Sequence, residues 1–269
     1  MKKAVVMAVL CGFVGAASAA YTAAGLQLHL DAAGLTGYSD GDTVSTWNDS
    51  SGNGNDAASP GTPTYIANAL NGQAAISITG STDISGYNWT GQNQDYFALT
   101  NAVQNVKTLA MVFKRTSNVY YSWAPILGGV AGTNPFHGDA SYGTAYWNNW
   151  ADPSVRYGDL RINGVSIGAG NAEYTSVPTE YHVMTLTVQD GWGTNVTISE
   201  LARSINYTEH SVYGMDIAEL LVYDRFLSTA QVEQLTGHLG DKYGIAVAVP
   251  EPASLVLLGL GACLLRRKK

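Results

Sequence analysis

The chain has 269 residues, with 14 basic and 21 acidic side chains and a formal charge of −7 at pH 7. Eight of the basic and twenty of the acidic residues fall between positions 20 and 248, giving that stretch a formal charge of −12. A polyanion is repelled by such a body, so nucleic acid is excluded as a partner, while cations and neutral sugars are not. The two cysteines, Cys11 and Cys263, sit near the ends, so the body has no disulfide and must hold by its core alone.

In chain order, Lys2 and Lys3 precede the apolar run Ala4 to Val14, and Ala17-Ser18-Ala19 fits the small-residue rule for cleavage: residues 1–19 read as a secretory signal. Leu26, Leu28 and Leu30 alternate with Gln27, His29 and Asp31, the pattern of a half-buried strand. Asp40-Gly41-Asp42 is a turn, Val44 and Trp47 carry the next apolar positions, and Asp49 to Asp56 is turn chemistry throughout. Ala75 to Ile78 alternates again, and Thr108 to Phe113 is continuously apolar, as a sheet centre is. Leu160 and Ile162, the turn Asn163-Gly164, then Val165 and Ile167 spell a hairpin. Val183 to Val188 and Val196 to Ile198 complete the set.

The stretch Met215 to Ile245 organises the rest. Ala218, Leu220, Leu221 and Val222 form a strand-length apolar run that suits burial on both faces. Ser228 stands three residues before Gln231, the capping-box spacing, with Leu227 and Val232 placed as a hydrophobic staple. Val232, Leu235, Leu239 and Tyr243 follow at helical spacing until Gly244 stops the helix. Roughly a dozen short strands without a fixed repeat, closed by one amphipathic helix, predict an all-β sandwich or jelly roll as one domain over 20–248. Beyond it, Pro250-Glu251-Pro252 interrupts the chain, Ala253 to Leu265 carries no charge, and Arg266-Arg267-Lys268-Lys269 ends it. That uncharged segment makes a helix of about 20 Å, short against a hydrocarbon core of about 30 Å, and its basic end would stay in the cytoplasm.

Residues 249–269 resemble the PEP-CTERM sorting signal of Gram-negative bacteria: Pro250, Glu251 and Pro252, then a short hydrophobic helix, then Arg266 and Arg267. The resemblance implies export, a transient inner-membrane stage and processing by an exosortase as partner, in a setting of exopolysaccharide and matrix production at the cell envelope. Three further motifs resemble the concanavalin A-like, laminin-G-like jelly-roll domains of bacterial surface proteins. They are L-x-L-H-L-D-A (Leu26 to Ala32), D-G-D-x-V-x-x-W-x-D-x-S-G-N-G-x-D-A (Asp40 to Ala57), and I-A-E-L-L-V-Y-D-R-x-L-S (Ile217 to Ser228) with K-Y-G (Lys242 to Gly244). Related jelly rolls sometimes hold one calcium ion at a sandwich edge, so calcium is the one cofactor raised, with Asp40, Asp42, Asp49, Asn53, Asn55 and Asp56 as oxygen donors. No metal ligand set follows from the sequence alone.

Glycosidases of this sandwich carry alternating acids on one strand. Asp216 and Glu219, three apart, fall on opposite faces of a regular strand unless a bulge intervenes, and retaining hydrolysis needs two carboxyl groups about 5 Å apart. There is no zincin histidine pair, and the five histidines read as strand-face or helix-surface residues. The expectation is therefore a protein that is not an enzyme. The candidate binding segment is Phe136 to Gly158, where aromatic rings stand among amides and carboxylates as in a sugar site. Tyr142, Tyr146, Trp147, Asn148, Asn149, Trp150 and Asp152 are the expected contacts to a polysaccharide, with Tyr87 to Tyr96 as a second stretch. The rival readings are a non-binding structural surface protein and, behind it, a glycoside hydrolase or lyase.

Overall fold

The computed structural model describes residues 21–80, 95–116, 125–130, 133, 135–138, 144–191, 195–203 and 212–248. The signal segment, most of Tyr87 to Tyr96, Tyr142 and the C-terminal sorting segment with Pro250, Glu251, Pro252, Arg266 and Arg267 lie outside them. Among the described residues no helix is long and apolar enough to cross a membrane.

In chain order the elements are β1 (Leu26–Asp31), β2 (Thr46–Trp47), β3 (Ala57–Ala58), β4 (Thr64–Leu70), β5 (Gln73–Ile78), β6 (Phe97–Val103), β7 (Thr108–Arg115), β8 (Leu127–Gly128), α1 (Pro153–Arg156), β9 (Asp159–Ile162), β10 (Val165–Ser166), β11 (His182–Thr187), β12 (Ile198–Leu201), β13 (Met215–Tyr223) and α2 (Thr229–Tyr243). The strands form an eight-stranded sheet in the order β10-β9-β11-β7-β13-β5-β4, with β1 also on β13, and a five-stranded sheet in the order β2-β3-β6-β12-β8. Every ladder among the described residues is antiparallel. The expected all-β body with one C-terminal helix is what the chain forms.

Alternation sorts the apolar side chains into two layers. Leu109, Met111 and Phe113 of β7 face the interior between the sheets, where they join Trp47, Phe97, Ile76, Leu186 and Leu220. Ala110 and Val112 face outward and join Val183, Leu221 and Tyr223 beneath Val232, Leu235, Leu239 and Tyr243 of α2. Each fully buried large side chain in either layer stabilises the fold by about 1.5–3 kcal/mol. β13 is therefore covered on both faces, and all nine of its residues are buried.

The local signals in the sequence are realised at α2. The Ser228 side chain accepts from the Gln231 backbone N–H and the Gln231 side chain accepts in return from Ser228 N–H. Leu227 and Val232 pack together in the outer layer, and Gly244 ends the helix at φ +65°. The hairpin of β9 and β10 turns at Asn163 and Gly164, both at positive φ, with Ile162 opposite Val165.

One expectation holds in part and one is corrected. β1 is half-buried at Gln27 and Asp31, but His29 between them is buried, with its ring nitrogens on Glu219 and the Tyr21 hydroxyl. And β13 is not regular. Ile217 pairs with Phe113 while Glu219 pairs with Val112, so Ala218 is an extra residue that shifts the register. This bulge carries Asp216 and Glu219 to the same, outer face, opposite Lys114 and Val112, rather than to opposite faces.

Candidate functional site

Residues 144–157 and 171–177 pack into the inner layer against the eight-stranded sheet, with Tyr146 edge-on to Phe113 of β7. Val177 N–H donates to the Thr144 carbonyl at 2.7 Å, and Ala145 bridges Ser176. From this frame Tyr146 and Trp147 point inward, 1% and 2% exposed. The Tyr146 hydroxyl lies 2.7 Å from His182 Nε2. The Glu180 carbonyl, 3.1 Å from His182 Nδ1, requires the proton on Nδ1, so Nε2 accepts from Tyr146. Burial pushes the His182 pKa down to about 4, against a smaller upward pull from the Glu180 carbonyl. Trp147 packs edge-on against Phe136 and Tyr146, at 6.1 and 5.8 Å between ring centroids. These two rings, expected to contact sugar, are core residues instead; large apolar surfaces were needed to fill the interior here, and the sequence placed them in a loop.

The polar members of the same segment are spent largely on their own backbone. Asn148 Oδ1 accepts from Trp150 N–H and its Nδ2 donates to the Gly138 carbonyl. Asp152 caps α1, accepting from Ser154 N–H at 2.8 Å and the Ser154 hydroxyl at 2.6 Å. Those caps force the chain to turn at Trp150, whose ring stands out 77% exposed above His137. Asn149 is exposed beside it, and its carbonyl accepts from Arg156 Nη1 at 2.9 Å. The other guanidinium nitrogen reaches Glu173 Oε2 at 3.9 Å, and the group lies 5.1 Å above the Tyr157 ring. Arg156 thus clasps the Trp150 turn to the Glu173-Tyr174 turn. Tyr174 is 76% exposed, and next to it Thr144, Ala145, Glu173, Tyr174 and Ser176 line an open depression of about 230 Å³.

A second polar cluster lies beneath α2. Glu219, 1% exposed, accepts from His29 Nε2 at 2.7 Å, Lys242 Nζ at 2.7 Å and the Tyr243 hydroxyl at 2.9 Å. Lys242 also reaches Asp31 Oδ2 at 2.8 Å. Burial alone would raise the Glu219 pKa; the His29 hydrogen bond and the Lys242 charge outweigh it and hold the carboxyl below its ordinary value. Lys242 is raised in turn, its desolvation outweighed by Glu219 and Asp31. His29, Asp31 and Glu219 bring their ligand atoms within 4.8 Å of one another, as a metal site does, but the ammonium of Lys242 is the resident cation. Asp216 is similarly held, 3.2 Å from Lys114 Nζ. Both acids are covered and paired, which is not the open carboxylate pair that glycoside hydrolysis uses.

The oxygen-rich turn residues are distributed rather than convergent. Asp49 accepts from the N–H groups of His29, Ser51 and Asn55 and from the Ser51 hydroxyl. These backbone bonds outweigh its partial burial and lower its pKa. Asp56 accepts from Asp49 N–H, Asp42 from Ser39 N–H and Asp40 from Ala67 N–H. Asn53 and Asn55 donate to the Leu26 and Gln27 carbonyls.

Residues 248–269 match the family model of the PEP-CTERM protein-sorting motif. The C-terminus is a PEP-CTERM sorting signal. It marks an exported protein that transits the membrane and is processed by an exosortase. No curated protein matches the chain. Among solved structures, Trypanosoma rangeli sialidase in complex with sialic acid is similar at 14% identity over 81% of this chain and 33% of that one, with a TM-score of 0.38. A mutant of the same sialidase displaying trans-sialidase activity gives 14% identity, 86% and 35% coverage, and a TM-score of 0.40. This chain spans about a third of the length of those structures, and overlaps of that size carry no argument about its chemistry.

Sequence reasoning missed Glu173 and Tyr174. The only signal was compositional: Tyr174 stands among Asn171, Glu173, Thr175 and Ser176, a polar run typical of an exposed turn.

Proposed function

We propose that the exported body is a non-catalytic, lectin-like module of the concanavalin A-like, laminin-G-like kind, held at the outer surface or in the matrix, that contacts polysaccharide through its loops. The observation that carries this reading is the pair of large rings, Trp150 and Tyr174, left open to solvent on two turns joined by Arg156. Flat aromatic faces suit the C–H patches of sugars, and the hydroxyls of Thr144 and Ser176, the Asn149 amide and the Glu173 carboxylate suit their hydroxyls. Pairing of Asp216 with Lys114 and of Glu219 with Lys242 supports the absence of catalysis.

Affinity electrophoresis of residues 20–248 through gels holding matrix polysaccharides tests it. Retardation should persist at moderate salt, because neutral-sugar recognition does not rest on long-range charge. Trp150→Ala or Tyr174→Ala should weaken binding about tenfold, the equivalent of about 1.4 kcal/mol. Retention on no polysaccharide, or both variants binding as the parent does, defeats the reading. The rival, a structural surface protein without a ligand, is favoured by the burial of Tyr146 and Trp147 and expects no retention.

A further inference from the structure

After Gly244 the chain does not leave the body. Ile245 and Val247 pack onto the outer apolar layer, and Ala248 N–H donates to the Asn163 carbonyl at 2.8 Å. A Cβ on Gly164 would fall against the Ala248 carbonyl, so the strap and the β9–β10 turn are in close contact. The sorting motif begins at once: a single residue, Val249, separates Ala248 from Pro250, and the uncharged segment starts at Ala253. Five Cα steps reach at most about 18 Å. With the strap seated and Ala253 to Leu265 in a bilayer, the β9–β10 turn therefore cannot stand farther than about that distance from the tail's entry into the hydrocarbon.

The composition of this rim agrees. Ile162 to Gly168 and Ile245 to Ala248 contain no ionisable side chain, in a body whose formal charge is −12. Val165 at the hairpin tip is 57% exposed. An uncharged rim costs little to bring to the headgroup layer, whereas the acidic remainder of the body is repelled by anionic lipid.

We propose that the rim formed by the β9–β10 turn and the Ile245–Ala248 strap is the face this protein presents to the lipid surface before its tail is processed. The rest follows from the fold. Ile245 and Val247 of the strap pack on the outer layer, whereas Ala151, Val155 and Ala172, the buried residues beside Trp150 and Tyr174, belong to the inner one. The proposal rests on the sorting signal and not on sugar binding, and it stands if no glycan is found.

The test uses the full chain with Cys11→Ala and Cys263→Ala, reconstituted in vesicles of phosphatidylethanolamine and phosphatidylglycerol bearing a headgroup quencher. One environment-sensitive label is attached at Val165→Cys or at Thr46→Cys; Thr46 is exposed on the five-stranded sheet, about 10 Å across the sandwich and several strand spacings away. Quenching should be strong at 165 and weak at 46. Inserting ten Gly-Ser residues after Ala248 adds up to about 36 Å of reach and should abolish the difference. Equal quenching at both sites in the parent, none at either, or a difference that survives the insertion overturns the proposal.

Discussion

Replacing Lys242 by methionine keeps the length of the stem and removes the ammonium that lies 2.7 Å from Glu219 and 2.8 Å from Asp31. Removing one partner of a buried ion pair costs about 3–5 kcal/mol, because a charge is left without compensation. Two facts reduce that here: the Lys242 side chain is 21% exposed, and His29 and Tyr243 still donate to Glu219. A loss of about 2 kcal/mol is expected, or about 4–8 °C in Tm for a body of this size. Urea titration followed by tryptophan fluorescence at pH 7 reads it.

The second arm is Lys242→Met with Glu219→Gln, which removes the stranded charge and should restore at least about 1 kcal/mol of the loss. The pH dependence has a fixed sign. Glu219 is lowered in the fold, so its contribution is present above the ordinary carboxyl value and is lost as pH falls through the lower folded value. Lys242 is raised, so its contribution is full below 10.5 and is lost only on the alkaline side. Lys242→Met takes away one of the influences lowering Glu219, and its acid transition should begin at higher pH than the parent's. A single variant as stable as the parent, or a double variant no better than the single, would refute a charge latch between α2 and the sheet.

Trp147→Ala should cost about 3–5 kcal/mol by emptying the interior, whereas Trp150→Ala should stay within about 0.5 kcal/mol; thermal melts of the two separate core from surface. His182 falls from 6.5 to about 4 in the fold, so the unfolded chain takes up its proton first. Stability should decline as pH drops from 6.5 towards 4, by at most about 3 kcal/mol, and His182→Asn should flatten that part of the urea profile. Ser228→Ala breaks the capping box and should cost about 1 kcal/mol, read in the same titration. Because Asp49 already accepts four hydrogen bonds, chelation by EDTA should leave Tm unchanged; a fall would show a calcium ion held at that edge.

The frame was legible in the sequence where one local rule acted alone. The Ser228–Gln231 spacing, the Asn163-Gly164 turn and the unbroken apolar run of Thr108 to Phe113 each have a single low-energy outcome. The candidate site was legible only in part, because its residues obey two rules at once. Tyr146 and Trp147 look like loop aromatics until the uncovered inner face of the large sheet is known, and only Trp150, stranded between the Asn148 and Asp152 caps, is left outside. The bulge at Ala218 was hidden for a related reason: alternation in a strand with apolar layers on both sides reads the same with or without an extra residue. The latch under α2 joins residues from Asp31 to Lys242 across the chain, and spacing cannot announce that.

The ends of the eight-stranded sheet carry a consequence for how copies of an exported protein meet. An open ladder of N–H and C=O groups invites a second copy to add its own strand, and repeated addition makes fibres. On one flank β10 is only two residues long, too short a template for another chain. On the other, β4 is interrupted between Ile66 and Leu70, and the N–H groups of Tyr65 and Ala67 are already taken by the Asp42 carbonyl and the Asp40 carboxylate. The aspartate-rich loop that invites a calcium reading thus works as a seal, closing this edge of the sheet to strand addition by another chain.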